Sequence, residues 1–444
     1  MNTRRIAVLF AGLVAGATTL AATPTRTAHY DLDLALDPRQ GSLQARVEMR
    51  DLPCTGSLTF ALNRAVRIAR VQVDGRMVAP RLVEENARRA TRTLSVPCPA
   101  RTLALEYTGA GPLTEDGRNQ ISPTLVELSL YGAWYPRLAG KFTYRATVAL
   151  DETFTLVSNG RSVREGASRG VARHTLTSLQ PVGDIALVAS PNFVRLSANG
   201  EGRIAALTRN SLPAGAQTAA REATAAASRA AALYTTWFGG TDSAGTPVAA
   251  HLAFSLRSGP LSYARLPLIV FPESELTEPD DATRGYPYLG WAVGHEMGHF
   301  WWSWAEYSPR EDWLNEGLAE YAAARFVRET YGDKAYAALL AQYRRAATKA
   351  GTEATAIVET PSDSAWTYAN RYAKPALLLD ALERALGSDR IGRFLKAVHD
   401  SALARNALTT DTAQTIARDT LGDEPARLFA RCLAVRGWPT ECGG

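Results

Sequence analysis

Hydrophobic and polar positions alternate through the first half of the chain. Runs such as AHYDLDLALD, GSLQARVEMRD, RTLALEYTG and KFTYRATVALD change character at almost every residue, the two-residue period of a half-buried strand. Gly, Pro and Asn punctuate these runs at short intervals, so the pattern predicts antiparallel strands in a sandwich or saddle-shaped sheet. At Gln217 to Leu233 the texture changes to QTAAREATAAASRAAAL, an Ala-rich stretch of high helix propensity. Two apolar strand-like runs follow, PVAAHLAFSL and LPLIVFP, and helical patterns dominate from Tyr286 to the end. There is no internal repeat. The order predicts an α+β chain, with an N-terminal antiparallel β domain over 23–200. A mixed α/β domain ending in helices follows over 201–444.

Residues 1–22 read differently. Arg4 and Arg5 precede the apolar stretch IAVLFAGLVAGATTL, and Ala21 and Ala22 offer a small-residue cleavage site, the composition of an export signal. The stretch is short and interrupted for a membrane span, although a single anchor helix is the alternative. No cysteine lies near the cleavage site, which argues against a lipoprotein, and no later segment is long enough to cross a bilayer. The expected mature protein is exported, periplasmic or secreted, with no membrane contact once the signal is removed.

Composition narrows the function. In 444 residues, 46% are hydrophobic and 21% charged, ordinary for a globular protein with room for a large core. The formal net charge of +5 falls to +3 without Arg4 and Arg5. Basic residues are scattered, so nucleic acid is set aside as a partner. Four cysteines, Cys54, Cys98, Cys432 and Cys442, lack C-x-x-C spacing. In an exported chain they predict disulfides, and of the three possible pairings locality favours Cys54–Cys98 and Cys432–Cys442.

The chemistry concentrates in GHEMGHFWWSW, residues 294–304. On a helix, His295 and His299 lie four apart on one face and aim two imidazoles at one point. Neutral imidazole binds zinc well, and a catalytic zinc takes three protein ligands and a water. Glu296, between them, is placed to act as general base on that water. A second helix, WLNEGLAEYAAARFV from Trp313, carries Glu316 and Glu320 one turn apart. Glu316 completes a His-His-Glu site, and Glu320 can orient one histidine through its free N–H. The site predicts one zinc per chain. The other histidines, His29, His174, His251 and His399, have no ligand spacing and are expected to pack or face solvent.

These two motifs resemble the aminopeptidase N family of zinc peptidases, the gluzincins. In that family's pattern eighteen residues intervene between the second histidine and the glutamate; sixteen intervene here, so the connecting loop is two shorter. GAWYPRLAGKFTYRATVALDETFTLVSNG resembles the strand segment that precedes the catalytic domain, and LYTTWFG the helix end that opens it. RYAKPALLLDAL resembles the helix carrying the catalytic tyrosine, which maps onto Tyr372. The likeness spans about residues 130–385 and implies a thermolysin-like α/β catalytic domain that hydrolyses peptides. A phenol O–H stabilises the oxyanion formed by water attack on a peptide carbonyl; Tyr372 fits that role, with Tyr368 as the alternative.

One departure from the family is marked. Members that remove N-terminal residues carry Gly-x-Met-Glu-Asn, whose glutamate holds the free amine, and the corresponding stretch here reads SGPLSYARLPLIVFPES. Anchored on Gly259, Ser262 stands at the glutamate position; anchored on LIVFPES, Ala264 does, followed by Arg265. Neither is acidic. This predicts weaker discrimination for a free N-terminus, unless Glu273 or Glu275 in the following loop supplies the charge. Leu261 to Leu266, read as an edge strand, can pair with a substrate main chain. Arg265 is an ordinary solvated arginine or a partner for a substrate carboxylate. The leading expectation is an exported zinc peptidase acting on peptide substrates. The alternatives are a zinc hydrolase of a non-peptide substrate, epoxide-hydrolase-like, or a non-catalytic peptide-binding module.

Overall fold

Alternation becomes strand wherever one face finds something to cover it. Ala28–Asp37 buries Tyr30, Leu32, Leu34 and Leu36 and leaves Asp31, Asp33 and Ala35 outward. It lies inside an eight-stranded sheet, flanked by antiparallel Ser42–Arg50 and by Phe142–Asp151. The structure, a computed structural model, describes residues 27–443 apart from 88, 199–201, 243, 258–260, 278–280 and 362–363. The predicted signal segment and the Gly259 anchor lie outside the described residues.

The expected all-antiparallel arrangement has one exception. Ala28–Asp37 and Phe142–Asp151 run parallel. After Thr102–Ala110 the chain leaves this sheet and contributes Gln120–Ile121 and Val126–Leu128 to a second, four-stranded sheet. It re-enters on the far side of Ala28–Asp37, and a long excursion of this kind permits parallel pairing where a hairpin does not. A three-stranded sheet, Ser57–Asn63, Thr91–Pro97 and Arg81–Asn86, adds Phe60, Leu62, Leu94 and Val96 to the same core. The predicted Cys54–Cys98 disulfide is present in this half, and Cys432–Cys442 joins the C-terminal segment to the last helix.

The four-stranded sheet is covered on both faces. Val126, Leu128, Leu187 and Ala189 face the N-terminal core, while Ala186 and Val188 meet Leu207, Ala253, Leu268 and Val270 of a five-stranded sheet. That sheet runs in the order Phe193–Leu196, Ile204–Arg209, Ala250–Ser255, Leu268–Pro272, Tyr263–Arg265. Its three middle strands are parallel and almost wholly buried, as continuous apolar runs require. Phe193–Leu196 already belongs to it, so the change of sheet falls before residue 193. The Ala-rich helix, Ala214–Phe238, turns Ala216, Ala220, Ala223, Ala227 and Ala230 inward at helical spacing. Its small side chains bring it close to the sheet and to the helix Tyr288–Gly298.

Helices complete the second core. Tyr288–Gly298 packs against Trp313–Tyr331, which packs in turn against Asp333–Ala350 and Lys374–Leu386. Two close approaches fix this geometry. A Cβ at Gly298 would stand 3.0 Å from the Ala319 Cα, and one at Gly317 would stand 2.5 Å from the Pro375 Cβ and 3.0 Å from the Arg371 carbonyl oxygen. Gly317→Ala must push two helices apart. We expect it to destabilise the fold by about 1–3 kcal/mol, as overpacking does, read from the urea unfolding midpoint. An unchanged midpoint would refute this close packing.

Candidate metal centre

The helix Tyr288–Gly298 delivers the HExxH residues, and His299, its C-terminal cap, keeps helical backbone angles. His295, Glu296 and His299 are all buried. Trp313–Tyr331 crosses alongside and delivers Glu316 from its first turn. The loop between them is pinned by Asn315, whose side chain bonds both the N–H and the carbonyl of Ala305, at 3.0 and 3.1 Å.

The three expected ligands converge. One donor atom from each of His295, His299 and Glu316 lies within 4.8 Å of the others, the one such cluster among the described residues. Nε2 of His295 is 3.4 Å, and Nε2 of His299 3.5 Å, from the same oxygen, Oε2 of Glu316. The opposite ring nitrogens each face an oxygen. Nδ1 of His295 lies 2.7 Å from Glu320 Oε2, and Nδ1 of His299 lies 3.1 Å from the Trp302 carbonyl oxygen. A histidine whose Nδ1 carries the proton toward such an oxygen presents an Nε2 lone pair, the arrangement of metal-ligating histidine. The donor set, two imidazoles and a carboxylate with a position left for water, fits zinc.

Electrostatics point the same way. Burial lowers the pKa of His295, but hydrogen bonds to Glu316 and Glu320 outweigh it and raise it well above the usual histidine value. Burial would raise Glu316, yet His299, His295 and a hydrogen bond from Tyr372 hold it down to about 2. The carboxylates therefore favour positive charge beside the imidazoles, the demand a divalent cation meets. Burial pushes Glu296 up to about 7, opposed by His295 and reinforced by Glu316.

Tyr372 and Tyr368 occupy different places. The Tyr372 ring stacks on His295 with centroids 5.6 Å apart, and its hydroxyl bonds Glu316. Tyr368 stacks on the outer side of Tyr372, is 36% exposed, and accepts a hydrogen bond from Gln342 Nε2 at 3.0 Å. Both lie in a π-helical turn, Tyr368–Ala373, rather than in the regular helix predicted from the sequence, which begins at Lys374. Pro375 explains the break. It has no N–H to give the Arg371 carbonyl four residues back, so regular α bonding cannot run through this point.

The candidate substrate-binding residues lie along the sheet edge. Tyr263–Arg265 is an edge strand, shorter than expected, paired only with Leu268–Pro272 and lying beside the HExxH helix. Arg265 is neither solvated nor free: its Nε donates to Asp184 Oδ2 at 2.8 Å, and its guanidinium lies 5.3 Å from the Tyr131 ring. Tyr263 donates to Glu127 Oε1 at 3.0 Å. Both acids come from the N-terminal half, so that half anchors the strand. The Ala264 side chain is half-buried, and the Ser262 hydroxyl donates to Glu275 Oε1 at 3.0 Å. Glu273 is held by two N–H groups of Arg209. His174 and His399 are buried in packing positions, while His29 and His251 are half-buried.

A buried ion pair was invisible in the sequence. Arg371, next to Tyr372, donates to Asp312 and to the Thr360 carbonyl, tying the tyrosine turn to the helix that carries Glu316. Asn370 and Lys374 give Arg371 polar and charged neighbours, so nothing in the sequence marked it.

Residues 276–427 match the peptidase family M1 domain. No curated protein matches the chain in sequence. Among solved structures, a mutant M1 zinc metallopeptidase from Deinococcus radiodurans bound to a Tyr-Ser-Ala substrate is 19% identical. It covers 93% of this chain and 96% of its own, with a TM-score of 0.69. A two-domain M1 zinc metallopeptidase mutant bound to L-arginine is 19% identical over 93% and 95%, with a TM-score of 0.67. Leukotriene A4 hydrolase from Saccharomyces cerevisiae is 14% identical over 93% of this chain and 68% of its own, with a TM-score of 0.70. Residues 276–427, which include the helices that carry HExxH and its glutamate, thus match a peptidase family M1 domain, and the fold of the chain is similar to that of M1 zinc metallopeptidases.

Proposed function

We propose that the protein is an exported peptidase that binds one zinc per chain through His295, His299 and Glu316 and hydrolyses peptide bonds. The observation that carries this is the convergence of the two Nε2 atoms on one Glu316 oxygen, with an oxygen beside each Nδ1 behind them. Zinc, when bound, supplies an acidified water and polarises the scissile carbonyl. Glu296 takes the proton of the attacking water and passes it to the leaving amine. Its carboxyl, buried beside the two imidazoles, is placed for both transfers. Tyr372, beside Glu316, donates its O–H to the oxyanion. Glu320 and the Trp302 carbonyl hold the two imidazoles in position.

Export is supported by the leader-like segment at residues 1–22 and by two disulfides. Among the described residues no helix is long and apolar enough to cross a membrane. We place the domain division between Ser190 and Phe193, where the chain passes from one sheet to the next.

Zinc analysis together with turnover of an unblocked peptide library tests this reading. We expect one zinc per chain and cleavage of the library. In Tyr372→Phe, zinc should stay and kcat should fall by roughly 10²–10³, the loss of one oxyanion donor. Zinc without peptide turnover would move the protein to a non-peptide hydrolase, and absence of both would leave a binding module. Near-normal turnover in Tyr372→Phe would transfer the oxyanion role elsewhere.

A further inference from the structure

Tyr372 sits where regular helical bonding stops. The Lys374 N–H reaches back five residues to the Ala369 carbonyl, and Pro375 has no N–H for the Arg371 carbonyl. A turn without a continuous backbone ladder is fixed by its side chains, and the two residues before Tyr372 supply them. Asn370 Nδ2 donates to the Thr355 carbonyl and to Thr360 Oγ1, each at 2.9 Å. Arg371 donates to the Thr360 carbonyl at 2.6 Å and to Oδ2 of Asp312.

Asp312 is where three parts of the metal centre meet. It is the N-cap residue of Trp313–Tyr331, and its carbonyl accepts the N–H groups of Asn315 and Glu316, each at 3.1 Å. Its Oδ1 accepts from Asn315 Nδ2 at 3.3 Å, and Asn315 in turn pins Ala305 in the loop that leaves HExxH. Its Oδ2 takes the guanidinium of Arg371. Asp312 is 5% and Arg371 4% exposed, and Arg371 Nε has no partner. Two charges so far from water, with one donor unsatisfied, stabilise a fold no better than apolar side chains of the same size. What the pair fixes is position, because it joins the residue before Tyr372 to the residue that starts the Glu316 helix. We propose that Arg371 and Asp312 are positioning residues, which hold the Tyr372 hydroxyl beside Glu316 and so at the place of the oxyanion. This rests on the peptidase reading of the metal centre and adds to it the contact that sets its oxyanion donor.

The test removes both charges together, since removing one would strand the other in the interior. Arg371→Met with Asp312→Leu is expected to keep its zinc and at least the wild-type unfolding midpoint. Its KM should stay within about threefold while kcat falls roughly 10–100-fold, the effect of a misplaced reacting group. The same pair is then made in Tyr372→Phe. Residues that act through one hydroxyl lose their effect once it is gone, so kcat should there change by less than about twofold. The full loss repeated in the Tyr372→Phe background would show a general structural role and overturn the proposal, as would wild-type kcat in the double variant. Arg371→Lys keeps the charge opposite Asp312 but not the fork that also reaches Thr360, and its kcat should fall between. If the double variant does not fold, the same comparison is made with Arg371→Lys. Crystal structures read the position without turnover. In either variant the Tyr372 ring should leave its place 5.6 Å from the His295 ring, while His295, His299 and Glu316 stay converged. An unmoved ring overturns the proposal. A displaced ring in a protein whose wild type hydrolyses no peptide overturns only the peptidase reading.

Discussion

Replacing Glu296 by glutamine is expected to lower kcat for peptide hydrolysis by roughly 10²–10⁴ while the bound zinc stays. The amide keeps the volume of the carboxyl but turns one acceptor oxygen into a donor and takes no proton from an attacking water. The residue is 6% exposed and its Oε2 has no partner within the protein, so the exchange breaks no hydrogen bond of that oxygen. Because Glu296 is not among the three converging ligands, metal content is the internal control. Turnover and zinc are measured on the same preparation. Turnover within tenfold of wild type would remove Glu296 from the role of base. Loss of zinc would show that the variant had disturbed the site rather than its chemistry.

The parts of this centre that were legible in the sequence are those fixed by local geometry. His295, Glu296 and His299 are set by helical periodicity, and Glu316 and Glu320 by the same rule on the next helix. Glu320 was assigned to one histidine from spacing alone, and it lies against His295. The partner of His299 is a backbone carbonyl, that of Trp302, and no side-chain pattern announces a carbonyl. The sheet edge was harder to read. Leu261 to Leu266 was read as an edge strand able to pair with a substrate main chain, and Tyr263–Arg265 is the part that forms one. Its anchoring by Glu127 and Asp184 joins residues more than 80 positions apart, beyond any spacing rule. Arg265 shows the consequence: in sequence it is a solvated arginine or a substrate partner, in the fold a half-buried arginine paired with Asp184. The π-turn at Tyr372 was within reach, since Pro375 stands where a continuous helix needs an N–H. The parallel pair at Ala28–Asp37 was not, because strand order depends on where the chain returns and not on its alternation.

Removing the second histidine should act on the metal itself. His299→Ala leaves one imidazole and one carboxylate, and we expect it to lose most of its zinc at metal concentrations that saturate the wild type. The loss should exceed the roughly 10–100-fold reduction in affinity typical of deleting an outer partner, and Glu320→Gln provides that comparison. His299 is 9% exposed, with Nδ1 committed to the Trp302 carbonyl. Substitution therefore also opens a small cavity, and loss of metal has to be separated from loss of fold. Thermal unfolding with and without added zinc makes the separation. A ligand that binds only the folded state at 100 times its Kd adds about 2.7 kcal/mol, so the wild-type midpoint should rise on zinc addition. The His299→Ala midpoint should not move. The carboxylates that now favour positive charge at His295 remain in the variant, so a residual weak site of two ligands is expected rather than none. Full zinc content in His299→Ala, or an equal shift in both midpoints, would show that the cation is held elsewhere.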